Sequence, residues 1–216
     1  MSSTDVLPGT LVVLSGPSGV GKSTVAMKLI AEKGGYVRSI SVTTREPREE
    51  KGRKEVDGVD YRFISVEEFN RLTEQDELVE HANVYGNFYG TPKEPLRQAL
   101  KDHKAYLLVI DVEGASQIRG KGYSSEFIYL LPPNNEELLK RIENRGAQDE
   151  NDKTVRMSAV AMEVERAMKI YNHMVVNDDL DQCVDDVHRH VIDHRRKLLE
   201  KKKAGETLYP GLNLKD

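Results

Sequence analysis

Residues 11–29 read LVVLSGPSGVGKSTVAMKL, and the fold turns on the middle of that stretch. Four apolar residues, Leu11–Leu14, lead into a glycine-rich turn. Small and apolar residues then recur at helical spacing from Lys22 to Lys33, and Gly34-Gly35 gives that helix its stop. Between strand and helix, Gly16, Pro17, Ser18, Gly19, Val20, Gly21, Lys22 and Ser23 match G-x-x-x-x-G-K-[ST] at every fixed position. The glycines let the backbone curl until several N–H groups face one anion, and the helix adds the positive end of its dipole. Lys22 is placed to reach the β- and γ-phosphates, the Ser23 hydroxyl to ligate Mg²⁺, and Thr24 completes the loop. The stretch therefore predicts a nucleoside triphosphate with magnesium, but motors, GTPases and kinases share it, so no reaction follows from it alone.

The rest of the 216 residues suits one soluble α/β domain. Acidic side chains outnumber basic ones 36 to 32, a net charge of −4 that argues against a nucleic-acid-coating protein. Cys183 is the only cysteine, so an internal disulfide is excluded and a reducing, cytoplasmic setting is expected. No apolar run approaches the ~20 residues of a membrane span, and MSSTDVLPGT lacks the pattern of a secretory signal. No membrane partner is expected.

Further apolar runs at Tyr106–Val112, Phe127–Leu131 and Met174–Val176 read as strands buried on both faces. They predict a P-loop NTPase core, a parallel sheet flanked by helices, over 10–38, 92–131 and 172–200. Two insertions interrupt it at 39–91 and 132–171, and a loosely ordered tail is expected over 201–216. In the first insertion Ser65 and Glu68 have capping-box spacing. At its end Thr91 is expected to cap a helix with Pro92 at the first helical position. The second insertion reads as two charged helices.

The first insertion carries SVTTREPREE (41–50), VDGVDYRF (56–63) and ELVEHANVYGNFYGT (77–91). Arg45 and Arg48, three residues apart beside Ser41, have the guanidinium forks best matched to a phosphate monoester. Tyr61 and Tyr89 are available as phenolic donors to the same oxygens. The alternative is a solvated loop in which these arginines pair with Glu46, Glu49 and Glu50, which would contribute little energy. Asp111 ends an apolar strand beside the phosphate loop, where ligands gather in open α/β sheets.

GPSGVGKST, SVTTREPR, DYRF, VEHANVYGNFYGT, IDVEGA, LLPP, RIENRG and VNDDLD follow one another in the order seen in guanylate kinases, which the chain resembles from about Leu11 to Val191. The resemblance implies phosphoryl transfer from ATP to GMP, with 39–91 as the GMP-binding region and 132–171 as a helical lid. It implies that Arg45, Arg48, Tyr61 and Tyr89 hold the GMP phosphate, that Ser41, Glu80 and Thr91 read guanine, and that Arg145 and Arg156 are lid arginines reaching the phosphates. Asn177 is implied to lie near the adenine; capping of the last helix is its other reading. Asp111 is expected to orient Mg²⁺-bound water or the GMP side of the site. Guanine offers N1–H and N2–H side by side, so a carboxylate such as Glu80 can accept two parallel hydrogen bonds that adenine cannot supply. The chain departs from the family at Val109, where a second acidic residue is usual, at Glu113, where glutamine is usual, and in a longer stretch between Arg48 and Tyr61. Two rival readings remain at this stage: a non-catalytic phosphopeptide-binding module, and a P-loop kinase with another small acceptor.

Overall fold

The structure, a computed structural model, describes residues 6–50, 52–84, 86–143, 150–212 and 214. The elements run β1 (Thr10–Ser15), α1 (Lys22–Lys33), β2 (Tyr36–Arg38), β3 (Val42–Thr43), β4 (Glu49–Glu50), β5 (Arg53–Lys54), β6 (Arg62–Phe63), α2 (Val66–Glu74), β7 (Leu78–Val84), β8 (Asn87–Pro92), α3 (Lys93–Lys101), β9 (Ala105–Val109), α4 (Val112–Gly120), β10 (Ser125–Leu131), α5 (Asn135–Glu143), α6 (Glu150–Ile170), β11 (His173–Val176) and α7 (Leu180–Lys203).

Five strands form a wholly parallel sheet in the order β11-β10-β1-β9-β2. The apolar runs form strands because both faces are covered. Val12 and Leu14 of β1 point into a core with Val25 and Leu29 of α1 and Val184 and Val187 of α7. Leu11 and Val13 point the other way, against Leu96 of α3, Ile118 of α4 and Ala167 of α6. Cys183 is buried in the first of these cores, where burial pushes its thiol up to about 11, as befits a packing residue.

Residues of the first insertion build a second sheet, β6-β3-β8-β7, with β8 antiparallel to both neighbours. One face is sealed by Phe69 and Leu72 of α2 against Val42, Leu78 and Phe88. Ser65 caps α2 through the Glu68 N–H. At the end of β8 the expected cap differs: Pro92 is the N-cap and α3 begins at Lys93, because the Thr91 hydroxyl donates instead to Glu80. Ahead of α5, Asn134 accepts from the Glu137 N–H.

The segment after α7, expected to be loosely ordered, folds back across the end of β1 remote from the phosphate loop. Leu208 and Leu212 are buried, the Arg97 Nε donates to the Leu212 carbonyl at 3.0 Å, and the Tyr209 hydroxyl donates to the Gly9 carbonyl. Arg195 of α7 closes the same corner by donating to the carbonyls of Leu7, Pro8 and His103. Two buried leucines are what the polar composition of this tail conceals.

Candidate active site

The loop between β1 and α1 is a cradle that only glycine permits at its tight points. Gly16 and Gly21 hold φ of 153° and 102°. A Cβ on Gly16 would sit 2.6 Å from the Leu130 carbonyl oxygen, and one on Gly21 2.6 Å from Nδ2 of Asn177. Gly19 and the Val20-to-Pro17 backbone bond complete the turn. Lys22 lies over the loop and donates to the carbonyls of Gly16 at 2.6 Å and Pro17 at 3.1 Å. Ser23 and Thr24 are exposed in the first turn of α1. A cavity of about 300 Å³ opens above them, lined also by Ser18, Asp111 and Glu163.

Asn177 is buried and its amide donates to the Val20 carbonyl at 2.7 Å. It therefore braces the phosphate loop from the far strand, while the capping of α7 falls to Asp179. Glu163, on α6, accepts from the Tyr129 hydroxyl at 3.0 Å. The resemblance did not point to it, although its spacing of seven residues from Arg156 is the helical signal that two side chains share a face. Of the two arginines that the resemblance implies for a lid, Arg145 lies outside the described residues. Arg156 falls on α6, but its side chain too is outside them.

On the acceptor side, sheet register does the assembling. In the second sheet Val42 pairs with Gly90 and Thr43 with Tyr89, so extending the register sets Ser41 opposite Thr91. On the other edge His81 pairs with Gly90, which sets Glu80 beside Thr91. Opposed residues share a face, so Ser41, Thr91 and Glu80 form a row across three strands, on the face that α2 leaves uncovered. The Thr91 hydroxyl donates to Glu80 Oε1 at 2.6 Å. Glu80 is 6% exposed, and burial pushes its carboxyl above the usual range, with the nearby Asp111 charge adding to the shift and Thr91 opposing it. A Cβ on Gly114 would lie 3.3 Å from Glu80 Oε2, so the start of α4 is held close behind the carboxylate. Asp111 itself caps α4, accepting from the Gly114 N–H at 2.9 Å.

The same face continues to Tyr89, whose ring meets that of Tyr61 edge-on at 5.9 Å. Arg45 lies against both: its guanidinium is 5.4 Å from the Tyr61 ring centre, and its Nε donates to the Tyr89 hydroxyl at 3.1 Å. Among the described residues its carboxylate partner is Glu55, not Glu46 or Glu49, and the Glu50 side chain lies outside them; Nη1 and Nη2 donate to the two Glu55 oxygens at 2.8 and 2.9 Å. Arg48 has an exposed side chain, and its backbone N–H donates to the same Glu55 at 2.7 Å. Glu55 went unread in the sequence because it lies ten residues beyond Arg45, past the two-residue strands β4 and β5 that bring it back. At the departures from the family pattern, Val109 packs into the core beside α1, and Glu113 is exposed in the first turn of α4, where its charge suits the dipole.

Asp111 thus lines the cavity over the phosphate loop and lies near enough to Glu80 to shift it, while Glu80 shares a sheet face with Tyr89, against which Arg45 and Tyr61 rest. A family model, guanylate kinase, matches residues 8–194. The chain belongs to the guanylate kinase family. A guanylate kinase of Clostridium perfringens (strain 13 / Type A) is 42% identical over 176 residues, spanning 82% of this chain and 79% of its own. A guanylate kinase of Myxococcus xanthus (strain DK1622) is 41% identical over 210 residues, with 95% and 98% covered. The crystal structure of guanylate kinase from Anaplasma phagocytophilum superposes with a TM-score of 0.70 at 32% identity, covering 97% of this chain and 94% of that one. As in that fold, the guanylate kinase architecture here is a P-loop core of parallel strands between helices. Among the described residues no helix is long and apolar enough to cross a membrane.

Proposed function

We propose that this nucleoside monophosphate kinase transfers the γ-phosphoryl group of ATP to the 5′-phosphate of GMP, and of dGMP less well, through the residues assembled above. The observation that carries this reading is the buried Glu80, oriented by Thr91 and set in a row with Ser41. A buried polar group left unsatisfied costs on the order of 1–3 kcal/mol; Thr91 supplies one donor to the carboxylate, and guanine brings two more. Arg45, Arg48, Tyr61 and Tyr89 take the acceptor phosphate. The loop from Gly16 to Thr24 takes the β- and γ-phosphates, with Lys22 moving from its carbonyl contacts to the bridging oxygens.

Phosphoryl transfer needs alignment and charge stabilisation more than covalent chemistry. The Lys22 ammonium and the lid arginines Arg145 and Arg156 supply positive charge where it builds on the transferred group, and closure of 132–171 excludes water. An all-oxygen set of the Ser23 hydroxyl with Asp111 and Glu163 along the same cavity suits Mg²⁺, which keeps several waters and binds largely through substrate phosphates. When bound, Mg²⁺ neutralises charge on the triphosphate. Asn177 keeps the loop in shape for that triphosphate.

The test is ADP release with ATP, Mg²⁺ and each of GMP, dGMP, AMP, CMP and UMP. Strong turnover with GMP, weaker with dGMP and little with the others is expected. Robust turnover with AMP but not GMP would overturn the reading. No turnover with any of them, together with retained GMP binding, would favour a binding module.

A further inference from the structure

Four of the five N–H donors of Arg45 are already used: Nε on Tyr89, Nη1 on the Glu46 carbonyl and on Glu55, and Nη2 on Glu55. The side chain is 8% exposed, and its guanidinium lies against the rings of both Tyr61 and Phe63, 5.4 and 5.9 Å from their centres. Buried in that way it does not readily exchange partners, because parting it from Glu55 would strand the buried guanidinium charge. What it can offer an incoming phosphate without breaking a contact is the remaining Nη2 hydrogen. Tyr89 completes the pattern. Its oxygen accepts from Nε, which leaves its own proton to donate to a phosphate oxygen.

Glu55 governs both arginines. It holds the Arg45 fork in a bidentate grip and accepts the Arg48 backbone N–H, so one carboxylate fixes the Arg45 cation and the stretch of main chain from which Arg48 projects. It also offsets one positive charge between guanidinium groups three residues apart, whose mutual repulsion would otherwise spread them in the absence of substrate.

We propose that Glu55 is a positioning residue for the acceptor phosphate: it stays paired with Arg45 through the catalytic cycle and sets the Nη2 hydrogen, the Tyr89 proton and Arg48 around the phosphate. This rests on the reading of the pocket as a GMP site. It predicts a defect confined to ligands that carry the phosphate, which a merely structural loop contact would not produce.

The experiment measures equilibrium affinities of GMP and of guanosine for the full-length wild-type chain and for Glu55→Gln and Glu55→Ala, with ATP affinity alongside. Both variants are expected to bind GMP at least tenfold more weakly while guanosine and ATP stay within about twofold of wild type. Equal losses for GMP and guanosine, unchanged GMP affinity, or tighter GMP binding (the outcome if the carboxylate merely competes for the arginines) would each overturn the proposal. If the variants do not fold, a crystal structure of the wild type with GMP decides: the Arg45–Glu55 pair is expected to persist, and a Glu55 displaced by phosphate refutes the idea. Wild-type GMP affinity no better than that of guanosine would instead defeat the acceptor-site reading itself, so the two failures are distinguishable.

Discussion

The hydroxyl of Thr91 donates to Oε1 of Glu80 across adjacent strands at 2.6 Å, where Glu80 is only 6% exposed. One oxygen of the carboxylate is thereby fixed and the group's direction is set before any ligand arrives.

A pH effect follows from that burial. In its proposed role Glu80 must be ionised to accept from guanine, and desolvation raises the pH at which it takes up a proton. As pH falls, protonation converts an acceptor into a donor facing the guanine N–H groups. The KM for GMP is therefore expected to rise on acidification at a pH above the ~4.3 of an exposed glutamate, while the KM for ATP stays flatter. Thr91→Val removes the contact that opposes the shift, so its profile should move to still higher pH. Steady-state kinetics from pH 5 to 8 read both.

Gly114→Ala tests the packing behind the same carboxylate. The new methyl would sit 3.3 Å from Glu80 Oε2 and 3.2 Å from Ile110 Cδ1, which leaves the carboxylate to give way. A roughly tenfold loss in kcat/KM for GMP is expected, about 1.4 kcal/mol, with ATP binding unchanged. An equal loss for both nucleotides would point to general damage to α4.

Asn177→Ala should act on the other nucleotide. It removes the donor to the Val20 carbonyl, a contact of about 0.5–1.5 kcal/mol, and frees the phosphate loop to relax. ATP affinity measured by titration should fall by up to about tenfold, while GMP affinity is unaffected.

Removing residues after Lys203 should lower the melting temperature by several degrees without changing kcat/KM for GMP in the folded fraction. Leu208 and Leu212 lose their burial, yet the corner they cover lies at the start of β1 and the phosphate loop at its end. Calorimetry and kinetics on the same preparation separate the two effects.

Stability should also weaken in mild acid. Burial, aided by the stacked ring of His173 at 3.7 Å, holds His190 below the usual imidazole value of about 6.5. The folded state thus favours neutral His190, and the unfolded state binds the extra proton first. That contribution is complete above about pH 6.5 and is lost as pH falls through the folded value. Thermal melts between pH 5 and 8 should show the decline, and His190→Asn should flatten it.

The sequence revealed the parts whose chemistry is local. β1, β9, β10 and β11 were legible because strands buried on both faces must be apolar throughout, and the phosphate loop because its backbone angles demand glycine at fixed spacing. β2 was missed: it is a three-residue edge strand running from buried Tyr36 to exposed Arg38, with no run to betray it. The two-residue strands β3 and β6 carry no period at all. Glu80 was marked by resemblance and by the donors of guanine, but its partners were not local. Gly114 reaches it from α4, and Glu55 reaches Arg45 from beyond the paired strands β4 and β5. Thr91 read as a helix cap because the sequence cannot show that a neighbouring strand presents a better acceptor.

The most direct test of Glu80 as the guanine reader compares GMP with IMP, whose base keeps N1–H and O6 but lacks the 2-amino group. For the wild type, kcat/KM should favour GMP by about 10- to 100-fold, the worth of one hydrogen bond to a buried charge, and in Glu80→Ala that preference should collapse towards unity. A preference that survives intact in Glu80→Ala would contradict the account.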